Sequence, residues 1–368
     1  MQADRFLFQL EPPGLIGAIL EYPPGGFTPC GIELGSRPLP AFTADFDLLL
    51  TADEPLRRLA GKLLPAKLYK AFLRPRTLFV GTTVSEFALV PATDELAALP
   101  SLLKEAMAAS GSRFVIVKDI APPAPLLSPA ENAAAAELCR VLAAAGFVLL
   151  EGQAMAYIPL DFTSLDEFFG RFSASRRADW RRKRKKRSAT RLQIIATGNP
   201  LLAEPQMVEQ VYRLYENVYN NSDIHFDKLT KPFFAKVLSD GRSGGRLFCY
   251  WQDDRLIGYC LGFLEAGLFI DKYRGAEYPA FRENNLYYVS WFDMLEYALA
   301  HGCRAAVFGW TDPEIKAYLG ASFLFTRHAV YTASPGLRRL LARFAGAFES
   351  DRKTLANWYA KHGKKEVE

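Results

Sequence analysis

Few side chains in this chain could do chemistry, and the most suggestive lie between Arg246 and Ala321. Asp271 falls inside Phe269-Ile270-Asp271-Lys272-Tyr273, a run that otherwise reads as strand. Asp is disfavoured in strands, so a specific task is expected of it. The plainer alternative is an ion pair with Lys272 or Arg274. Glu265 is a second candidate carboxylate, against the simpler reading of a turn residue in Leu264-Glu265-Ala266-Gly267. Tyr318 is placed either to protonate a leaving group or to pack in a core. The five cysteines (Cys30, Cys139, Cys249, Cys260, Cys303) are scattered and odd in number, with no Cys-x-x-Cys pair. Neither a zinc site nor a disulfide framework is indicated, and reduced thiols of a cytosolic protein are the expectation. The four histidines show no ligand spacing, so no metal is expected.

The next chemical feature is charge. The chain carries 45 Lys and Arg against 40 Asp and Glu, a net +5, and one stretch accounts for it. From Arg176 to Arg187 nearly every residue is basic. Two readings of the residues compete, a solvated helical linker and a patch for an anionic ligand, nucleic acid or membrane. Trp180 is alone in the stretch, so no aromatic platform for single-stranded nucleic acid is present. Ser164 with Glu167 three residues on forms a capping-box pattern just before it.

Elements must position these groups. Arg246–Tyr273 reads as three antiparallel strands with a turn at Gln252-Asp253-Asp254. Leu286 to Ala300 is a helix with Leu286, Val289, Phe292, Met294, Leu295 and Leu299 apolar, closed by Gly302. Cys303–Trp310 is a buried strand. Thr311-Asp312-Pro313 then caps and starts a short helix. Earlier, Gln206–Ser222 and Lys231–Gly241 are helices and Arg191–Asn199 begins with a strand. The first 160 residues repeat the order. Thr77–Gly81 and Glu86–Val90 read as strands, Asp94–Ser110 as a helix, Arg113–Ile120 as a strand, Asn132–Phe147 as a helix and Phe147–Leu160 as strand. Glu11–Pro40 reads as irregular strands and loops, and Asp53–Arg74 as a helix. The fold class is α+β with a mixed α/β sheet. No basic-plus-apolar leader and no apolar run of about 18 residues is found. The tail from Pro335 gives amphipathic helices, with Leu337, Leu340, Leu341 and Phe344 opposite Arg338, Arg339 and Arg343. These lie either on an anionic membrane or on the preceding domain.

The stretch Asp271–Trp310, and above all Glu314-Ile315-Lys316-Ala317-Tyr318-Leu319-Gly320-Ala321, resembles the Gcn5-related N-acyltransferase (GNAT) superfamily, and within it the FemAB-like branch. Gly309, Asp312 and Lys316 match that pattern in order. The resemblance implies two tandem GNAT-like acyl-CoA N-acyltransferase domains. These would be a non-catalytic domain over 1–163 and a catalytic one over 191–335, joined by a basic helical linker at 164–190 and followed by C-terminal helices at 336–368. The resemblance alone gives the stretch from Arg176 to Arg187 a third reading, a basic helix of this kind where a second domain begins.

The resemblance also implies the roles. Asp271 and Glu265 become the candidate base or orienting groups, and Tyr318 the acid. Lys272, Tyr273, Arg274, Gly275, Asn284, Asn285, Leu286 and Lys316 fall on the donor side. Tyr212, Tyr219, His225, Phe226 and Trp310 fall on the acceptor side; for His225 a surface loop is the simpler reading. The co-substrate implied is acyl-CoA and the partner a small-molecule or peptide amine, in cell-envelope or polysaccharide precursor metabolism of a bacterial cytoplasm, with contact at the inner membrane left open. The family's Gly-rich pyrophosphate loop is absent, and Arg274-Gly275-Ala276 does not restore its spacing. The long coiled-coil insertion of tRNA-using relatives is also absent, which disfavours aminoacyl-tRNA as donor. Two alternatives stand beside the acyltransferase: a degenerate fold that only binds an anionic ligand or membrane, and an aminoacyl-tRNA-dependent transferase.

Overall fold

A computed structural model describes residues 5–34, 38–47, 74–90, 96–222 and 225–362. The helix expected over Asp53–Arg74 lies outside these residues, save its last position. In chain order the elements used below are α1 (Pro13–Glu21), β1 (Thr28–Ile32), β2 (Leu39–Asp45), β3 (Arg76–Val80), α2 (Leu99–Ala109), β4 (Phe114–Ile120), α3 (Pro129–Ala144) and β5 (Val148–Pro159). They continue with α4 (Leu165–Gly170), α5 (Ala174–Arg184), β6 (Arg191–Ala196), α6 (Pro205–Asn220), α7 (Lys231–Ser239), β7 (Gly245–Gln252), β8 (Arg255–Glu265) and β9 (Leu268–Ala276). The last are α8 (Leu286–Ala300), β10 (Ala305–Gly309), α9 (Pro313–Tyr318), β11 (Ser322–Tyr331), α10 (Pro335–Arg343) and α11 (Ser350–His362). This is the mixed α/β arrangement expected.

Two compact units divide the chain, and they do not follow its linear order. One comprises 1–10, 23–156 and 309–368; the other comprises 11–22 and 157–308. The expected boundaries near 163 and 335 therefore do not describe the compact units. The reason is strand pairing: β11, late in the chain, pairs antiparallel with β4, Tyr331 opposite Val115. A strand's unpaired backbone groups must find a ladder, and β11 finds it in the first unit.

In the first unit β1, β2 and β3 form an antiparallel meander. A crossover containing α2 then brings β4 parallel to β3, Thr77–Val80 against Phe114–Val117. The expected strand Glu86–Val90 is absent. Val90 makes one isolated bridge to Leu7, while Phe87 and Leu89 are buried outside any ladder. In the second unit β6 to β9 form a longer meander. Here α8 is the crossover and β10 returns parallel to β9. Each unit thus has the same core, a meander followed by a helix and a parallel strand.

Helix α1 was not legible because Pro12, Pro13, Gly14 and Gly17 look like loop. Pro13 takes the first helical position, where its missing N–H costs nothing. Gly14 leaves room for Asp240, whose carboxylate would meet a Cβ at 2.1 Å. Glu21 of α1 is ion-paired to Lys236 of α7 at 2.8 Å.

The basic stretch is a built part of the second unit. Trp180 on α5 is fully buried against Phe168, Phe169, Phe172 and Phe292. Most of the cations around it have partners. Arg181 pairs with Asp166, Arg182 and Lys183 with Asp179, Arg184 with Glu296 and Arg187 with Asp293. Arg177 donates to the Phe172 carbonyl. A freely solvated linker is thereby replaced by a docked helix, and much of the charge that suggested an anion site is neutralised. Of the capping box before α4, Ser164 accepts from the Glu167 N–H, while the Glu167 carboxylate reaches the Thr163 N–H.

Candidate functional site

The second unit contains an opening that follows from its ladders. Strand β10 pairs with β9 only at Leu268, Phe269 and Ile270. Strand β9 runs on to Ala276, paired on its other side to β8. From Asp271 onward the β9 edge facing β10 has no ladder, so the two strands part there. The first unit offers no equivalent, because β3 stops at Val80, its last residue paired to β4.

A β-bulge sits where the strands part. Leu261 faces Tyr273 and Gly262 faces Asp271, so Lys272 is the extra residue. A bulge breaks the two-residue alternation. Asp271 and Arg274, three apart, consequently reach the same side of the sheet, toward α8. Arg274 bonds Asp271 Oδ2 at 2.8 Å and Ser290 on α8 at 3.3 Å, and lies over the Tyr287 ring. Lys272 and Tyr273 take the opposite side. Lys272 contacts Glu11 at 3.4 Å with both side chains nearly or fully buried. Tyr273 packs edge-on to Phe233 and Phe234 of α7.

Asp271 has the most suggestive environment. It is 7% exposed, and its second oxygen, Oδ1, is buried with no hydrogen-bond partner among the described residues. A buried carboxylate oxygen without a donor is costly, and such cases warrant a functional explanation. Burial disfavours the charge on Arg274, but Asp271, together with Cys260 and Tyr287, more than offsets it, and the guanidinium stays well above its ordinary value. Both candidate partners named for Asp271 are thus separated: Arg274 takes it and Lys272 does not.

Glu265 is not part of this constellation. It ends β8 opposite Leu268, at a turn where Ala266 and Gly267 have positive φ. Three register steps separate it from the Asp271 position, about 10 Å at strand spacing. Gly275 is a packing glycine: a Cβ there would meet the Tyr259 ring at 2.1 Å and Leu214 at 2.7 Å. Asn284 turns its side chain back to the Ala280 carbonyl and Leu286 is fully buried. Asn285 holds φ +50° before α8 and does not cap it with its side chain. On α6, Tyr212 and Tyr219 flank Tyr215, and the Tyr219 ring lies 4.9 Å from His225. Phe226 follows in the loop to α7.

Trp310, Lys316 and Tyr318 fall in the other compact unit. Lys316 is 5% exposed, and its ammonium donates to the Gly309 and Trp310 carbonyls. It clamps a turn in which Gly309, Thr311 and Asp312 all have positive φ. Asp312, read as a helix cap, makes no capping hydrogen bond because of that conformation. Tyr318 is half-buried at the end of α9.

The residues missed from sequence are Ser290, Tyr287, Glu11 and Asp293. Ser290 and Asp293 carried a signal, being polar positions three apart among the apolar residues of α8. Asp293 accepts from the Tyr250 hydroxyl and from Arg187, both at 3.1 Å. Burial pushes its carboxyl above the usual range, with Arg187 and Tyr250 working against the shift. Cys260 and Cys249 are fully buried, and burial pushes both thiols up to about 12, so neither is a thiolate nucleophile. No cluster suited to a metal ion occurs among the described residues.

Comparison with known families meets this geometry directly, since the family described as acetyltransferase (GNAT) domain matches residues 174–317. Residues 174–317 are thus similar to a GNAT acetyltransferase domain. The match begins at the first residue of α5, so the docked basic helix opens the matched region. No curated protein sequence matches the chain. Solved structures resemble it over most of its length. One is the C-terminal domain of a protein named as a lysylphosphatidylglycerol synthetase from Agrobacterium fabrum, at TM-score 0.53 and 10% identity, covering 90% of this chain and 94% of that one. L-PGS from Bacillus licheniformis follows at 0.50 and 10%, covering 90% and 96%. FemX is similar at 0.50 and 12%, covering 89% and 97%. At such identities the likeness is one of fold.

Proposed function

We propose that the GNAT domain transfers an acyl group from an acyl thioester, acyl-CoA, to an amine, and that the opening between β9 and β10 takes the donor. The observation that carries this reading is the end of parallel pairing at Ile270 while β9 continues to Ala276. An extended chain bearing amides, such as the pantetheine arm of coenzyme A, can complete that edge as a strand would. The phosphate end would meet the start of α8, where the helix dipole favours anions. Gly275, Asn284 and Leu286 support the packing there and offer the donor no side chain.

Acyl transfer forms a C–N bond at the carbonyl and breaks the C–S bond; the amine loses a proton, and the coenzyme A leaves as a thiolate that takes its proton from solvent. Asp271 Oδ1 is the acceptor suited to that proton, with Oδ2 held by Arg274 so that the carboxylate has one orientation. Lys272 bonds Glu11 and is assigned a structural role. Tyr212, Tyr219 and His225 are assigned no part in the transfer, because they group with Phe234 and Tyr273 on the side of β9 opposite Asp271. The first unit, lacking an opening beyond β3, is assigned no donor site.

Thermal unfolding with acetyl-CoA and longer acyl-CoAs tests the donor. A ligand at one hundred times its Kd should stabilise by about 2.7 kcal/mol. A shift confined to one acyl length identifies the donor. Stabilisation by aminoacyl-tRNA with none from any thioester overturns the reading in favour of aminoacyl transfer.

A further inference from the structure

Helix α10 is unlike its neighbours. Every other described helix of nine or more residues buries at least one side chain; none of the nine residues of α10 is buried. Its apolar residues nevertheless fall on one face. Leu337, Leu340, Leu341 and Phe344 are spaced i, i+3, i+4 and i+7, which a helix aligns into one stripe. Leu340 is 51% exposed and Phe344, just past the last turn, is 42% exposed. These are two of four large exposed hydrophobic residues among those described, and the other two, Leu20 and Ile194, lie elsewhere in the chain.

The charge around this stripe has one sign. From Ser334 to Phe348 there are three arginines and no Asp or Glu. At 100° per residue, Arg338 and Arg343 flank the apolar stripe on its two sides and Arg339 lies behind it. Arg338 is held against the Tyr331 ring and the Thr332 carbonyl. Arg339 and Arg343 are exposed. Unlike the cations of α5, they have no acidic side chain near them in sequence to pair with on the helix. The helix is fixed in place through Ser334, which caps it by accepting from the Leu337 N–H.

We propose that α10 is a membrane-surface contact that seats Leu337, Leu340, Leu341 and Phe344 in the interface of an anionic phospholipid bilayer, with Arg343 at the headgroups and Arg339 adding to the positive field from behind. An amphipathic helix with an apolar stripe and a cationic polar side lies in the plane of such an interface, and long arginine stems reach the phosphates. Anionic lipid is favoured over a protein partner because the only charge on the helix beside its apolar stripe is positive, with no Asp or Glu from Ser334 to Phe348. No described helix is long and apolar enough to cross a membrane, so the contact is peripheral. The proposal is independent of the donor reading above.

The test is co-sedimentation of the full-length protein with phosphatidylcholine vesicles, with and without about one third phosphatidylglycerol, at low and at high salt. Binding is expected only with phosphatidylglycerol, and to fall at least several-fold at high salt, where surface electrostatics are screened. Leu340→Ser with Phe344→Ser, and separately Arg339→Glu with Arg343→Glu, should each abolish sedimentation while leaving Tm unchanged, since these side chains are exposed. Absence of binding to phosphatidylglycerol vesicles overturns the proposal. So does binding unaffected by either double variant. A concentration-dependent dimer that Leu340→Ser with Phe344→Ser dissociates, with no vesicle binding, would assign the stripe to a second copy of the chain instead.

Discussion

Asp271 is the residue on which the catalytic reading turns, and its two oxygens are differently placed, Oδ2 bonded to Arg274 and Oδ1 buried without a hydrogen bond among the described residues. Asp271→Asn keeps the shape and removes the base. It should lower kcat by about 10²–10⁴-fold, the usual contribution of a positioned base, with the donor Kd nearly unchanged; a fall in donor affinity alone would move the carboxylate out of the chemistry. Asp271→Ala leaves Arg274 a buried cation without its counter-ion. It should cost about 3–5 kcal/mol in denaturant unfolding. A second residue-scale prediction concerns His328 in the first unit. There Asp119, at φ +56°, occupies an irregular step of the β4–β11 ladder, and its backbone N–H donates to His328 Nδ1 at 3.1 Å. Burial lowers the His328 pKa below 6.5, with Asp119 opposing and Lys118 reinforcing that shift. The unfolded chain therefore binds more protons just below pH 6.5, and stability is lost as pH falls from 6.5 toward the folded value. His328→Gln should flatten that part of the stability–pH curve. An unchanged slope would show that other groups control it.

At the scale of elements, the bulge at Lys272 and the glycine at 275 set the geometry of β9. Gly275→Ala would push a methyl into the Tyr259 ring and Leu214, neither of which is a flexible chain end. Overpacking of this kind costs about 1–3 kcal/mol or more. It should also weaken acyl-CoA binding, because β9 must shift to relieve the clash; calorimetric titration of the variant checks this. Helix α5 makes a separate prediction. Trp180→Ala removes a fully buried indole from four phenylalanine rings and should cost about 3–5 kcal/mol. Protease cleavage after Arg176–Arg187 should rise sharply in that variant. A variant as stable and resistant as the parent would restore the loose-linker reading.

For the whole molecule, the pairing of β11 with β4 makes the C-terminal 60 residues part of the first unit. Ending the chain at Phe308 should therefore damage the first unit first. Hydrogen exchange in β4 should become fast in the truncated protein, since it loses the ladder to β11, while β7 and β8 stay protected. Fast exchange in β7 instead would mean that the stability of the second unit depends on the tail.

Much of this was readable from residue types. Residue pattern located β6 to β10, α6, α7 and α8, because each is either a continuous apolar run, as in β8 and β10, or has an apolar face, as in α6. Asp271 was legible as an oddity, since a carboxylate in a strand must be compensated. Local pattern failed where a residue's conformation depends on distant partners. Pro13 and Gly14 read as loop, yet α1 is stabilised against α7. Asp312 read as a cap, yet lies in a turn clamped by Lys316. Trp180 read as a lone aromatic, yet fills a core. Which of Lys272 and Arg274 pairs with Asp271 was decided by a single bulge, a register defect that exists only once two strands are laid side by side. The sequence by itself determined most of the elements and the mixed sheet, because those depend on local period and chemical type. Only the tertiary structure decided where β9 and β10 part, which cations are already paired and which unit owns the last strand, because each is a contact between segments far apart in the chain.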